Sequence, residues 1–369
     1  MTKLKLRRAW FQVHKWIGLI LAVLIIPLSL SGSLLVWDLP IDHLVNPSRY
    51  AVSGADLLPP SRYAAAARQA LGPGQRITSL TYPEGKGPIV IQASKPGEGA
   101  RRGSPARTTI WLDPPSARIL GVGDSGSGVV RFIHRLHGSL MVPGVGRTIV
   151  GWIGVAMMVS CFTGIWLWWP TAGRWVRGLR WRRHRNVDTN LHHLTGFWIA
   201  LPLFVLSLTG AWIALPGLFG GGRQGGGPPR RFGSDPVAMT MRSADDVVSA
   251  VHARQPGEIT GISWPTTGRA PDWSVTVTSP AGREQTVSVG DRDGRVALKK
   301  PRARGGGGIS SVMRRIHDGR GMGPVWQTII FIGGIIPALL AITGIIMWWR
   351  ARGWRAELAA RQRSKATVG

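Results

Sequence analysis

Histidines at matching positions in two halves of the chain are the residues whose type and spacing could do chemistry. Of the nine histidines in the 369-residue sequence, four recur in this way: His14, His192, His137 and His317. A neutral imidazole is a good axial ligand for heme iron, and two of them fill both axial positions. Iron held in this way has no open site, which suits electron transfer rather than oxygen binding. The four histidines therefore predict two bis-histidine heme sites.

An internal repeat relates these histidines to one another. Each is followed along the chain by a Ser-Gly or Thr-Gly pair, at distances that match between the two halves. The four pairs are Ser31-Gly32, Thr163-Gly164, Thr209-Gly210 and Thr343-Gly344. The second and fourth of them are followed by paired tryptophans. The chain is therefore predicted to be internally duplicated.

Four apolar blocks are the elements that must position the histidines. They cover residues 16–37, 149–169, 194–215 and 326–349, and none contains Asp, Glu, Lys or Arg. Each has about 20 residues, the length that an α-helix needs to cross about 30 Å of hydrocarbon. Tryptophans at their ends are typical of the membrane interface. The predicted fold class is a membrane all-α four-helix bundle with two small α+β domains outside it.

Basic residues predict the orientation of this bundle. Short segments rich in Lys and Arg lie at residues 3–15, 174–185 and 350–365, all on one side if the chain crosses the membrane four times. That side is the cytoplasm by the positive-inside rule, so both termini are predicted to be cytoplasmic. The histidines that open the first and third spans then lie at the cytoplasmic face, and those that precede the second and fourth lie at the outer face.

The two long outward segments are each predicted to contain one helix and four strands. The helices are predicted to start at Ser61 and, with an N-cap, at Ser243; residues 121–128 are predicted to be a connector. The strands are 76–82, 88–93, 108–112 and 118–120, then 259–264, 273–279, 284–289 and 296–298. The predicted boundaries are 1–37 (first span), 38–128 (first outer domain), 129–170 (outer histidine segment and second span), 171–190 (cytoplasmic loop), 191–218 (third span), 219–308 (second outer domain), 309–350 (outer histidine segment and fourth span) and 351–369 (cytoplasmic tail).

Two choices of ligand stay open. His193 adjoins His192 but points about 100° away on a helix, so the helical register favours His192. His134 lies one turn before His137 on the same face, and it could substitute for His137 or assist it. Basic residues beside the ligands could pair with heme propionates. They are Lys15, Arg131, Arg135, Arg314 and Arg315.

The path from His137 to the second span is interrupted by Pro143 and Gly144. Either the spanning helix extends beyond the membrane, or a separate short helix turns into it. A simpler interpretation of all four histidines also stays open. A histidine at a membrane boundary is often only an interfacial polar residue, and Ser/Thr-Gly pairs often serve helix packing alone. A metal site at His134 and His137 would lack a carboxylate companion.

Composition excludes several classes of function. The formal charge of +28 could suggest nucleic-acid binding, but membrane topology and anionic lipid account for much of it, so the lipid bilayer is the expected partner and nucleic acid is not. The one cysteine, Cys161, excludes an intramolecular disulfide and a zinc ribbon. No motif of a metalloprotease or serine hydrolase is present. The apolar blocks carry no charge, which disfavours a transporter.

The histidine motifs, in their order and spacing, resemble the PepSY-associated transmembrane family. They are His14-x-Trp-x-Gly18, Leu136-His137-Gly138, Leu191-His192-His193-x-x-Gly196 and Ile316-His317. The resemblance covers nearly the whole chain. It implies PepSY-like periplasmic domains, two b-type hemes held by the four histidines, and a place in the bacterial inner membrane. Asp318 and the Arg- and Gly-rich outer loops depart from the family pattern.

The same family includes siderophore-iron reductases, so the resemblance implies a ferric-chelate reductase that acts on a ferric siderophore or similar chelate at the periplasmic side. Because no Rossmann fingerprint is present, the expected electron donor is a quinol or a separate dehydrogenase. The alternative is a non-redox PepSY protein that senses envelope conditions, or that binds or inhibits a periplasmic peptidase. In that case the histidines would be packing residues and the purified protein would be colourless.

Overall fold

The chain folds into two compact units. The computed structural model describes residues 2–368 apart from 84, 97–106, 125, 170–175, 177–178, 181–183, 220–234, 268–270, 281 and 300–308. The helical unit comprises Met1–Asp38, Ile133–Gly222 and Gly308–Gly369. The sheet unit comprises Leu39–Phe132 and Arg223–Gly307.

In the part of the helical unit that the structure describes, four helices are long. They are α1 (Lys3–Leu35), α5 (Gly146–Trp168), α6 (Val187–Ala214) and α9 (Gly323–Val368). Each contains a stretch that is long and apolar enough to cross a membrane, which confirms the prediction of four spans. α1 packs against α5 and α9, and α6 packs against the same two helices. The four helices therefore enclose a common interior.

α9 is longer than its predicted span and continues through the predicted tail. The sequence after Trp349 is rich in Ala and Arg, which favour a helix, and α9 ends only at Val368. α5 instead ends at Trp168, and Pro170, which cannot continue a helix, follows in the sequence. The two halves therefore differ at this end of the bundle.

Two short helices precede α5 and α9. They are α4 (Val129–Ser139) and α8 (Ile309–Asp318). The chain leaves α4 through Leu140 and Met141, whose φ angles are 50° and 61°. It leaves α8 through three glycines with positive φ, Gly319, Gly321 and Gly323. Of the two alternatives for His137, the structure therefore has the separate short helix.

The described residues of the sheet unit form eight antiparallel strands. Before the sheet come α2 (Asp38–Val45), a 3₁₀ helix (Pro47–Tyr50) and α3 (Pro60–Ala70); α7 (Ala244–His252) opens the second segment. The strands are β1 (Arg76–Thr81), β2 (Ile89–Ser94), β3 (Thr108–Leu112), β4 (Ile119–Asp124), β5 (Glu258–Ser263), β6 (Asp272–Thr278), β7 (Glu284–Gly290) and β8 (Val296–Leu298). Their order is β4-β3-β2-β1-β5-β6-β7-β8.

The structure joins what the sequence predicted as two small domains. Among the described residues, the first outward segment contributes α2, the 3₁₀ helix, α3 and four strands, and the second contributes α7 and four strands; α2 and the 3₁₀ helix were not predicted. β1 pairs with β5 through Leu80 and Ile262, so the two halves form one continuous sheet. Alternating apolar residues point to one face, where they meet α3 and α7 in a shared core that includes Tyr63 and Trp273. The two central strands, β1 and β5, thus come from segments that are far apart in sequence.

Two local predictions in the sheet unit need correction, and one is confirmed. Ser243 caps α7 in a capping box with Asp246, as predicted. α3 begins instead at Pro60, and Ser61 lies inside it, where its backbone N–H donates to Asp245 of α7 at 2.9 Å. The predicted connector 121–128 begins too early, because β4 continues to Asp124.

Candidate functional site

The structure brings the four repeat-related histidines together as two pairs. His14 of α1 and His192 of α6 form the proximal pair, whose ring centroids are 6.4 Å apart with an interplanar angle of 86°. His137 of α4 and His317 of α8 form the distal pair, with centroids 6.0 Å apart and an angle of 30°. The rise of α1 from His14 to Gly32, against which His137 packs, separates the two pairs by about 27 Å along the bundle.

Threonine hydroxyls orient the proximal pair. His14 Nδ1 lies 3.0 Å from Thr163 Oγ1 and 3.1 Å from the Ser160 carbonyl oxygen. His192 Nδ1 lies 2.9 Å from Thr343 Oγ1. Both threonine hydroxyls already donate their own proton to a carbonyl one turn back in their helix, so their oxygens accept from the imidazoles. Nδ1 therefore carries the proton, and Nε2 keeps a lone pair for a metal.

The distal pair is oriented in the same way by α1 and α6. His137 Nδ1 donates to the carbonyl oxygen of Leu28 at 2.9 Å. His317 Nδ1 contacts the carbonyl oxygen of Leu206 and the hydroxyl of Thr209, each at 3.1 Å. Because a carbonyl can only accept, the proton again lies on Nδ1. All four histidines thus have the tautomer that binds a metal through Nε2.

A glycine from another helix lies behind each ring. A Cβ atom at Gly32 would come 2.7 Å from His137 Cε1, and one at Gly210 would come 2.9 Å from His317 Cε1. The corresponding distances are 3.2 Å from Gly164 to His14 and 3.5 Å from Gly344 to His192. Each Ser/Thr-Gly pair of the repeat is therefore packed against one histidine. The sequence shows these pairs, but their contact with the histidine rings is visible only in the structure.

A cavity of about 520 Å³ lies at the proximal pair. Both histidines line it, as do Gly18 and Gly196, where an added side chain would project into open space or ordinary contact. Most of the remaining lining is aliphatic and aromatic. The volume is in the range of cofactor sites, which are mostly apolar with a few convergent polar groups.

The geometry of both pairs fits heme. Two metal–nitrogen bonds of about 2 Å, together with the two imidazole rings, separate ring centroids by about 6 Å, as both pairs do. Each pair supplies only two ligands, and among the described residues no group of three or more His, Cys, Asp or Glu could hold a bare metal ion. A porphyrin provides the four equatorial nitrogens that such a pair lacks.

The pKa values of the distal histidines also suit metal binding. Burial lowers the pKa of His317 to about 4, and burial lowers the pKa of His137 as well. Both imidazoles are therefore neutral at pH 7, which is the form that donates a lone pair to iron.

The two alternative ligands lie beside the pairs. His193 borders the proximal cavity, and its ring lies against that of His184, with centroids 4.7 Å apart. His184 is half-buried. His134 is exposed on α4.

The predicted propionate partners are distributed over both ends of the bundle. Lys15 lines the proximal cavity, and its Nζ donates to Gln12 Oε1 at 2.5 Å. Arg135 on α4 and Arg314 and Arg315 on α8 are exposed. Arg131 belongs to the first turn of α4 and is half-buried.

Comparison with known proteins assigns the chain to a family. No curated protein sequence matches it. Residues 11–351, which include all four histidines and most of each span, match the family described as PepSY-associated TM region. Because the match covers far more than half of the chain, this protein is a multi-pass membrane protein that belongs to the PepSY-associated TM region family.

Proposed function

We propose that this protein transfers electrons across a membrane and holds two b-type hemes, one at each histidine pair. One observation supports the proposal above all others. In both pairs the Nδ1 atoms are engaged by hydroxyl or carbonyl oxygens, and the ring centroids are separated by the length that one coordinated iron requires. Histidines that served packing alone would have no reason to share both features at two ends of the bundle.

Heme bound by two imidazoles supplies reversible one-electron chemistry with no open position for oxygen. The chain's own residues would set the conditions for it. His14 and His192 bind through Nε2, and Thr163 and Thr343 keep the proton on Nδ1 and fix the ring orientation. The apolar cavity lining excludes water, which favours the less charged state of the site.

The proposed reaction is the reduction of a ferric chelate, with a quinol or a separate dehydrogenase as donor. One quinol gives two electrons and two protons, becomes a quinone, and reduces two Fe(III) ions to Fe(II). A siderophore binds Fe(II) less tightly than Fe(III), so the metal is released. In the proposed orientation both termini are cytoplasmic, the membrane is the bacterial inner membrane, and the chelate is reduced on the periplasmic side.

A reduced-minus-oxidised visible spectrum of detergent-purified protein, with pyridine hemochrome quantitation, tests the heme proposal. We expect two b-type hemes per chain. His14→Ala should remove the proximal heme and His137→Ala the distal heme, leaving one in each case. The matched controls His193→Ala and His134→Ala should keep both, because these rings lie beside the pairs. A colourless protein after heme-supplemented expression would contradict the proposal and favour peptidase binding by a PepSY protein.

Proteoliposomes test the proposed reaction separately. Protein reduced by a quinol should reoxidise when a ferric siderophore is added outside, and a membrane-impermeant Fe(II) indicator should report two Fe(II) for each quinol consumed. The His137→Ala variant, which keeps the proximal heme, should be reduced by the quinol but should not deliver Fe(II). The ferric chelate would not be the substrate if it reoxidised the wild-type protein no faster than the His137→Ala variant.

A further inference from the structure

The proximal cavity has an unusual distribution of charge. Among the described residues that line it, only Lys15 and Arg355 carry a formal charge, and no carboxylate accompanies them. Neither forms a salt bridge within the described part of the chain. Lys15 Nζ donates to the neutral amide of Gln12, and Arg355 Nε donates to the carbonyl oxygen of Ala351 at 3.0 Å. Two cations thus line this mostly apolar cavity, Lys15 half-buried with its Nζ also 4.7 Å from the Trp16 ring centroid and Arg355 exposed, and neither is paired with a described carboxylate.

Arg355 reaches this cavity because α9 continues beyond the membrane span. By helix rise its backbone lies about 16 Å past Gly344, the glycine behind His192. The hydrogen bond to Ala351 directs the side chain back along α9, toward the histidine pair. Four of the five guanidinium N–H groups remain for other partners. Ala351 and Trp354, from the same extension, line the cavity with it.

Neither cation follows the internal repeat. The residue that corresponds to Lys15 after the second histidine of the pair is His193, which lines the same cavity. α5, the counterpart of α9, ends at Trp168 and has no described helical extension. The histidines and glycines of the cavity are therefore duplicated, whereas its two cations are not. Turning a ligand over in this cavity would therefore change which of its groups lie near the two positive charges.

We infer that Lys15 and Arg355 bind the two carboxylates of a planar, apolar ligand held between His14 and His192, and so give that ligand a single orientation. The inference rests on the proposed function and names heme propionates as the carboxylates. Two charge-assisted contacts match two propionates, and the bidentate guanidinium suits a carboxylate especially well. The C-terminal extension of α9 is then part of the cofactor site rather than only a positively charged tail.

A comparison of two ligands tests the inference without measuring activity. In the His137→Ala background, which isolates the proximal site, apoprotein is titrated with iron protoporphyrin IX and with its dimethyl ester, which lacks the carboxylates. We expect the free acid to bind about tenfold more tightly than the ester or better, because each cation gives a charge-assisted hydrogen bond. In the Lys15→Gln/Arg355→Gln variant this preference should disappear while the affinity for the ester stays unchanged.

Two further variants separate carboxylate binding from a structural role. Arg355→Lys keeps the charge and should retain part of the preference for the free acid. Arg361→Gln, which removes a cation from the same helix outside the cavity lining, should retain all of it. The inference is overturned if the wild-type site binds acid and ester equally, or if the double variant loses affinity for both to the same extent. Failure of both ligands to bind in the presence of His14 and His192 would instead overturn the heme proposal.

Discussion

The proximal and distal histidine pairs are positioned by different elements of the bundle. In the proximal pair, both histidines lie on long spanning helices, and the glycines behind them belong to α5 and α9. In the distal pair, both histidines lie on short helices that are joined to their spans by tight turns, and the residues behind them belong to α1 and α6. The roles of the helices are thus exchanged between the two ends of the bundle.

The exchange makes the distal pair the more tightly packed. An ideal Cβ on the neighbouring glycine would lie 2.7 Å from His137 Cε1 and 2.9 Å from His317 Cε1. The same distance is 3.2 Å for His14 and 3.5 Å for His192. A short helix must be pressed against a spanning helix to hold its histidine, because it has few other contacts in the bundle. A histidine on a spanning helix is positioned by that helix along its whole length. The two pairs should therefore respond differently to the same substitution.

Alanine substitution of the glycines behind the histidines is expected to show the largest difference between the two pairs. Gly32→Ala should displace the His137 ring, remove the distal heme and cost about 1–3 kcal/mol of stability through overpacking. Gly344→Ala should leave the proximal heme in place, because its Cβ would make only an ordinary contact. Heme content and thermal unfolding measure both effects. Gly138→Ala, which meets no atom within 4 Å, is the control, and equal losses from the two glycines would abolish the contrast between the pairs.

Removal of the hydroxyl groups near the histidines should give the next largest difference in heme binding between the two pairs. Thr343→Val removes the oxygen that accepts from His192 Nδ1, and it should weaken heme binding at the proximal site by about 10- to 100-fold. Ser31→Ala should leave the distal site unchanged, because His137 donates to the Leu28 carbonyl instead. Thr209→Val should lie between them, since His317 keeps its contact with the Leu206 carbonyl. Heme titration of each apoprotein gives the ranking, and a large effect of Ser31→Ala would contradict it.

Substitutions in the two turns that follow α8 and α4 should show a smaller difference in their effect on stability. Gly321 has a φ of 70° and open space around a Cβ, so Gly321→Ala should cost about 1–2 kcal/mol through backbone conformation alone. The equivalent turn after α4 uses Leu140 at a φ of 50°, so Leu140→Gly should change stability by less than about 1 kcal/mol. Chemical unfolding in detergent compares the two variants. Stabilisation by Gly321→Ala would show that the left-handed conformation is not required.

The charged contacts at the two ends give the smallest contrast. Arg7 donates to the carbonyl oxygens of Leu167, near the end of α5, at 2.5 Å and of Trp169, which follows α5, at 3.1 Å, so Arg7→Gln should cost about 1 kcal/mol. Arg320 forms an exposed salt bridge with Asp38 at 3.0 Å, and Arg320→Gln should cost only a few tenths of 1 kcal/mol. Thermal unfolding at low and high salt measures both. A larger loss from Arg320→Gln would show that the distal end depends on this ion pair.

Much of the fold was predictable because it depends on local patterns. The four spans follow from runs of apolar residues, and the strands follow from alternation punctuated by Gly and Pro. The errors concern where elements begin and end, and two short helices, α2 and the 3₁₀ helix, that were not predicted. Ser61 was predicted to start a helix, but Pro60 begins it, and Ser61 instead contacts Asp245 from the other half of the chain.

By itself, the sequence determined the four spans, the strands of the sheet unit and the matching positions of four histidines, because hydropathy, alternation and motif spacing can be read from neighbouring or matching residues. Only the tertiary structure decided which glycine and which hydroxyl or carbonyl oxygen lies behind each imidazole, since those partners come from other helices. It also decided that β1 and β5 join into one sheet and that Arg355 reaches the proximal cavity. These contacts depend on how helices and strands pack against one another, and no local pattern encodes that packing.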